Sequence, residues 1–250
     1  MAVSRMSIRA CILASCDNAP YLAQAIASAQ AQSLPFEVIV VADDASTDGS
    51  RDLIRSRAAE DKRIRPILRE RRLGPGANRD LAIRDTKADW IVTLDGDDVM
   101  APGKHAAEWA AVTPFRGQAS AIGFSDVALT DAWGAETGRW SLSLYGALDG
   151  AERSGWFARR SAPIPRDLLL PKGLYLEAGG FAHDLPLYED WDFKLRLSAL
   201  AAVWRHSGIV GTHYRRQGGG LSDAPPGVHE RWQAEVRDRN RALFVAEVPA

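Results

Sequence analysis

Trp90-Ile91-Val92-Thr93-Leu94-Asp95-Gly96-Asp97-Asp98 begins as an apolar run and stops on three carboxylates within four residues. A short apolar run closed by a turn signal reads as a buried strand. Carboxylates crowded at its tip repel one another unless a cation or hydrogen-bond donors absorb the charge. Two upstream stretches repeat the pattern. Residues 8–14 are apolar and lead into Ser15-Cys16-Asp17-Asn18, and residues 36–41 lead into Asp43-Asp44. Residues 64–68 read as one more strand.

Helical patterns fill the intervals. Leu22, Ile26 and Ala29 follow Pro20, with Asp17 or Asn18 as the expected cap. Leu53, Ile54 and Ala58 follow a start signal over residues 46–48, where Ser46 or Asp48 is the expected cap. After Gly74-Pro75-Gly76, residues 77–83 begin another helix. Strand and helix in alternation predict an α/β fold: a Rossmann-like, mostly parallel central sheet flanked by helices, followed by a less regular half. Ligands of such sheets sit beyond the carboxyl ends of the strands, where Asp17, Asp43, Asp44 and residues 95–98 fall.

The chain has 250 residues, 46% hydrophobic and 25% charged, which is enough for a buried core. Thirty-one Lys and Arg against thirty-two Asp and Glu give a net charge of −1, so a general nucleic-acid or anionic-membrane binder is excluded. No apolar run reaches the roughly 18 residues of a spanning helix, and residues 1–9 lack the apolar stretch of a signal peptide. The two cysteines, Cys11 and Cys16, cannot build a disulfide framework or a cysteine zinc site, so a reducing cytoplasm is expected, with a peripheral seat at the membrane as the variant.

Beyond Pro102 the regularity fades. A helix is expected from Glu189 to about Ala202, with Trp191, Leu195 and Ala199 on one face, and a C-terminal helix carries Trp232, Val236 and Leu243. The reading is one domain over residues 1–222, divided into 1–101 and 102–222, then a helical tail over 223–250.

The Asp95–Asp98 cluster offers oxygen ligands suited to Mg²⁺ or Mn²⁺, which bind one or two carboxylates together with substrate phosphates. An acidic turn shaped by Gly96 is the plain alternative. Residues 44–49 resemble the start of a calcium loop, but its twelfth position is Arg55 where a bidentate glutamate is required, so that reading fails. Residues 188–192 open a helix whose N-terminus keeps a carboxylate ionised and able to accept a proton.

In order, residues 19–22, 36–50, 74–80, 90–98, 178–181, 189–192 and 214–216 resemble the motifs of family 2 glycosyltransferases, and the likeness runs from Ile8 to about Ser222. The resemblance implies the GT-A fold, a nucleoside-diphosphate sugar donor, with UDP as the family's usual carrier, and transfer with inversion. It also implies that Asp44, with Asp43 beside it, contacts the nucleobase, that Ala14 floors the nucleotide site, and that Arg79, Asp95 and Gly96 line the donor. Asp97, extended by Asp98, would meet Mn²⁺ or Mg²⁺, and Asp190 would deprotonate the acceptor hydroxyl.

Glu189, His213, Arg215 and Trp156 are candidate diphosphate or acceptor contacts, and Arg159, Arg160 and Arg216 further phosphate neutralisers. Trp133 and Trp140 also fall in the expected acceptor half. The sequence departs from the family pattern at Ala14-Ser15-Cys16-Asp17, at Asp80, where asparagine is usual, and at Gln217, where histidine often follows. The partners implied are the donor and a glycan or small-molecule acceptor, with no nucleic acid and no transmembrane segment. The competing expectation is a catalytically inactive nucleotide- or glycan-binding protein of the same fold.

Overall fold

The computed structural model describes residues 7–115, 120–160, 162–200, 202–220 and 223–244. The expected boundary at Ser222 and residues 1–6 lie outside these. The chain runs β1 (Arg9–Ser15), α1 (Ala19–Gln30), β2 (Val38–Asp43), α2 (Ser50–Glu60), β3 (Ile64–Leu68), α3 (Pro75–Asp85), β4 (Trp90–Asp95), β5 (Val99–Met100) and α4 (Lys104–Val112). It continues through β6 (Ser120–Thr130), β7 (Glu136–Trp140), α5 (Gly150–Arg159), β8 (Leu169–Pro171), α6 (Lys172–Glu177), α7 (Glu189–Ser198), β9 (Ala202–Arg215), α8 (Pro226–Arg239) and α9 (Arg241–Phe244).

The sheet order is β3-β2-β1-β4-β8-β6-β9-β5, with β7 paired to β6. The first four of these strands are parallel; β8 then runs antiparallel to β4, and β6 and β9 pair parallel to each other. Successive residues of β1, β2 and β4 alternate between two apolar layers, as strand periodicity requires. Cys11, Leu13, Ile39, Val41, Val92 and Leu94 meet Leu22 and Ile26 of α1 and Ile54 of α2. Ala10, Ile12, Val40 and Ile91 join Ile83 of α3, Phe157 of α5 and Trp191, Phe193 and Leu197 of α7 on the other side.

Several local expectations are revised. The cap of α2 is Gly49, in the left-handed region at φ 97, not Ser46 or Asp48. Those two side chains tie loops together: Ser46 Oγ accepts from Asp17 N, and Asp48 accepts from Ala19 N and Ser50 N. Asn18 caps α1 without a side-chain bond. Helix α7 ends at Ser198, not near Ala202, because Ala202 already pairs with Ser120 as the first residue of β9. The C-terminal segment packs against α7: Val236 is fully buried, and Asn240 donates to Asp192 Oδ1 at 2.8 Å.

Candidate functional site

The tip of β4 is built against the tip of β1. Ala14 pairs in register with Asp95, and its carbonyl accepts from Gly96 N at 2.8 Å. A Cβ at Gly96 would lie 2.8 Å from Asn18 Nδ2 and 3.1 Å from Ala14 O, so a side chain here would force the Asn18 amide and the β1 tip to give way. The turn then directs three carboxylates into three different surroundings.

Asp95 is braced from both sides. Arg79 Nη2 donates to Oδ1 at 2.6 Å and Arg166 Nη2 to Oδ2 at 2.9 Å. Burial opposes the charge on Asp95, but the two guanidinium groups prevail and hold its carboxyl below the ordinary range. Asp98 faces inward: it is fully buried, with Oδ2 accepting from Arg166 at 2.8 Å and Oδ1 from Arg215 N at 2.9 Å. Its two oxygens anchor the 166 loop and β9. Asp97 is half-buried and accepts from Gln217 Nε2 at 3.0 Å. Burial and the charge of Asp95 push its proton affinity up, the opposite direction to Asp95.

Arg79 sits on α3, and its other nitrogen, Nη1, donates to Glu189 Oε1 at 3.0 Å. One buried guanidinium therefore bridges the β4 tip to the first residue of α7. Glu189 acts as part of this strap. Asp190 follows it, with its side chain 45% exposed and Oδ2 accepting from Lys194 Nζ at 2.9 Å. Burial raises its pKa, but Lys194, then Arg166 and Arg79, more than offset this and hold it far below the ordinary carboxylate range.

At the β2 tip, Asp44 is 4% exposed, and its two oxygens accept from Leu73 N at 2.7 Å and Gly74 N at 2.9 Å. Its carboxylate closes the entry to α3. Asp43 is fully buried and caps Ser46 N through Oδ1, while its Oδ2 and the neighbouring Ser15 Oγ have no partner.

The remaining candidates divide. Arg215 is 5% exposed, with Nε on Asp97 O, Nη1 on Ala132 O and Nη2 on Gln24 Oε1, so its guanidinium joins backbone segments and is not held open for phosphate. Trp156 is half-buried in the core beside Tyr145, with Arg159 over its ring, and Trp140 packs on Tyr214. Arg160 lies over Tyr188 and Trp191. His213 sits in β9 opposite Val99 and Ala128, outside the carboxylate network among the described residues. Asp80 is buried and accepts from Tyr175, Arg84 and His183, and Tyr175 Oη also accepts from Phe181 N, so the unusual aspartate fixes the 178–183 loop.

Sequence reasoning missed Arg166 and Lys194. Arg166 stands in an aperiodic stretch between two prolines' neighbourhood and Asp167, with no local signal. Lys194 was within reach, being four residues after Asp190 on a helix, where opposite charges meet.

The sequence model of Glycosyl transferase family 2 matches residues 11–112. Over that stretch the chain is similar to glycosyl transferase family 2. The chain is also similar to the succinoglycan biosynthesis proteins ExoU and ExoO of Rhizobium meliloti. Identity is 40% over 97 residues for ExoU, covering 38% of this chain and 28% of that protein. For ExoO it is 36% over 93 residues, covering 37% and 26%. The matched stretch thus spans only about a quarter of those relatives. The chain superposes on S. aureus TarS 1–349 in complex with UDP-GlcNAc, with a TM-score of 0.72 at 17% identity, covering 98% of this chain and 68% of that one. That likeness establishes the fold as GT-A. No helix among the described residues is long and apolar enough to cross a membrane.

Proposed function

We propose that this chain transfers a sugar from a nucleoside-diphosphate sugar, with UDP as the carrier, to an acceptor hydroxyl with inversion. The observation that carries the reading is the contrast within the carboxylate cluster. Arg79 and Arg166 neutralise Asp95, whereas Asp97 stays short of positive charge and Asp190 stands at the exposed end of the strap. In the proposed step the acceptor O–H proton passes to Asp190 as the oxygen bonds to the anomeric carbon. The bond from that carbon to the diphosphate breaks, and its electron pair leaves with the nucleoside diphosphate.

The donor set fits a hard divalent cation. Among the described residues no group of three or more His, Cys, Asp or Glu forms a closed metal site. Asp97, supported by Gln217, is the carboxylate whose raised proton affinity a cation would relieve, with donor phosphates completing an all-oxygen shell. Mn²⁺ or Mg²⁺ held there would supply charge stabilisation for the departing diphosphate. Arg79 and Arg166 hold the β4 tip rigid, so the site needs little reorganisation as charge develops. TarS, the fold relative, is solved with UDP-GlcNAc, which supports the same donor class here.

A second reading, binding without turnover, is favoured by the Lys194 pair, which weakens Asp190 as a base. One experiment separates the two. Asp190→Asn is expected to lower transfer by about a thousandfold, in line with losses of a general base and its electrostatic partner roles, while UDP still raises the melting temperature. Asp97→Asn should instead abolish the Mn²⁺ dependence of that thermal shift. Transfer at the unmodified rate by both variants refutes the mechanism, and nucleotide binding without transfer in the unmodified chain selects the binding reading.

A further inference from the structure

Most of the aromatic side chains in the second half are used in packing, but Trp133 is 90% exposed. The other exposed large apolar residues range from 36% to 48%. Trp133 sits on the turn between β6 and β7, and that turn is closed firmly. Asp131 Oδ1 accepts from Trp133 N and Ala135 N, both at 2.9 Å, Asp131 N donates to Ala135 O at 3.0 Å, and Gly134 takes the left-handed φ of 92.

The turn is also tied to the reaction site. Ala132 O accepts from Arg215 Nη1 at 2.8 Å, and the same guanidinium donates through Nε to Asp97 O at 2.9 Å. Its third arm reaches Gln24 of α1, and its face lies on Tyr21. One side chain thus fixes the position of the Trp133 backbone relative to the Asp97 loop. A flexible loop would carry an exposed indole at no fixed place, whereas this one is presented on a braced support.

The surroundings select the occupant. Along the chain the turn is bordered by Asp131 and the Glu136–Arg139 pair, so it lacks the basic excess that would seat an anionic membrane. A single aromatic face rimmed by polar groups suits the C–H face of a sugar ring, which is apolar on its face and polar at its edge. The turn comes from the half beyond the matched residues 11–112.

We propose that Trp133 is a stacking platform for a sugar ring of the acceptor glycan, held beside the Asp97 loop by Arg215. The assignment to the acceptor rests on the transferase reading, whereas saccharide binding itself does not.

The test uses the full chain labelled with 5-fluorotryptophan, with the Trp133 resonance identified by its absence in Trp133→Phe. Cellotetraose, chitotetraose and maltotetraose are the saccharide probes, UDP-GlcNAc and UDP-glucose the donor probes, and phosphatidylglycerol vesicles the membrane probe. We expect a saturable shift of the Trp133 signal with at least one tetraose. Trp133→Ala should weaken that binding about tenfold, the equivalent of one ring stacked on an aromatic face. The melting temperature and the UDP-induced thermal shift should be unchanged in that variant, and Trp133→Phe should retain most of the affinity. No tetraose-induced shift at Trp133, or equal binding by Trp133→Ala, overturns the proposal. A shift caused by the donor alone or by vesicles alone also overturns it. Because this readout needs no turnover, failure of the transferase reading would appear separately, as saccharide binding at Trp133 without sugar transfer.

Discussion

The two halves of this molecule handle their carboxylates differently. In residues 8–101 the acids at the tips of β1 and β2 find partners within the same half. Asp43 accepts from Ser46 N three residues on, Asp44 from the 73–74 backbone, and Asp17 from Thr47 N. The acids at the tip of β4 draw on the second half as well. Arg166 reaches Asp95 across 71 positions, Arg215 reaches Asp98 across 117, and Gln217 reaches Asp97 across 120. Arg79 makes the reverse crossing to Glu189. The first half can thus form its sheet and loops locally, whereas the proposed reaction centre exists only once both halves have docked.

The comparison breaks most severely if Arg79 is removed. Arg79→Met would leave Asp95 short of one cation and the buried Glu189 without the guanidinium it pairs with, at a cost of about 3–5 kcal/mol. Urea denaturation measures this, and Arg79→Lys should fall in between because an ammonium group cannot donate to both acids in fork geometry. A cost below about 1 kcal/mol would mean that apolar packing alone joins the halves.

The next contact across the halves is His105 of α4, stacked on Phe36 at 3.9 Å, with Nδ1 on Leu34 O and Nε2 buried without a partner. Burial lowers its pKa to about 4. The unfolded imidazole takes up its proton near 6.5 and the folded one only near 4, so the unfolded state binds more protons between these values. The stability from this site is complete above about pH 6.5, falls as pH drops towards 4, and then levels, losing about 3 kcal/mol in all. His105→Gln should remove that component from the pH dependence of unfolding. An unchanged difference curve between the two proteins over this window would refute the assignment.

The smallest effect tests a contact inside one half. Lys194→Met removes the cation beside Asp190, so the proton affinity of Asp190 rises and the acid limb of the kcat/KM profile should move to higher pH by about one unit. A limb that stays in place while the rate falls would make Lys194 a packing residue only.

How much of this was legible in the sequence follows from the same division. The strands over 9–15, 38–43, 64–68 and 90–95 announce themselves because each is a short apolar run closed by a polar turn. The long strands β6 and β9 did not: β9 is mostly half-buried and lacks a continuous apolar run, and Gly123, Ser125 and Asp126 interrupt the apolar residues of β6. Asp190 and Lys194 are readable as a helical pair. Arg166 is not, because a loop residue carries no period that says where its side chain will go.

The charge pattern shows the limit most plainly. Residues 89–98 and 184–192 each hold four acids and no base, which reads as a strongly acidic centre calling for a metal. Folding brings Arg79, Arg166, Lys194 and Arg215 among them, so much of that charge is answered within the protein; burial still pushes the proton affinity of Asp97 and Asp98 up, and of these two only Asp97 is not fully buried. By itself the sequence determined the α/β alternation and the acids at the strand ends, because hydrophobic period and turn chemistry are local properties of the chain. Only the tertiary structure decided which acids are neutralised and which remain for chemistry, because electrostatic pairing depends on distance in space, and these partners lie as much as 120 residues apart.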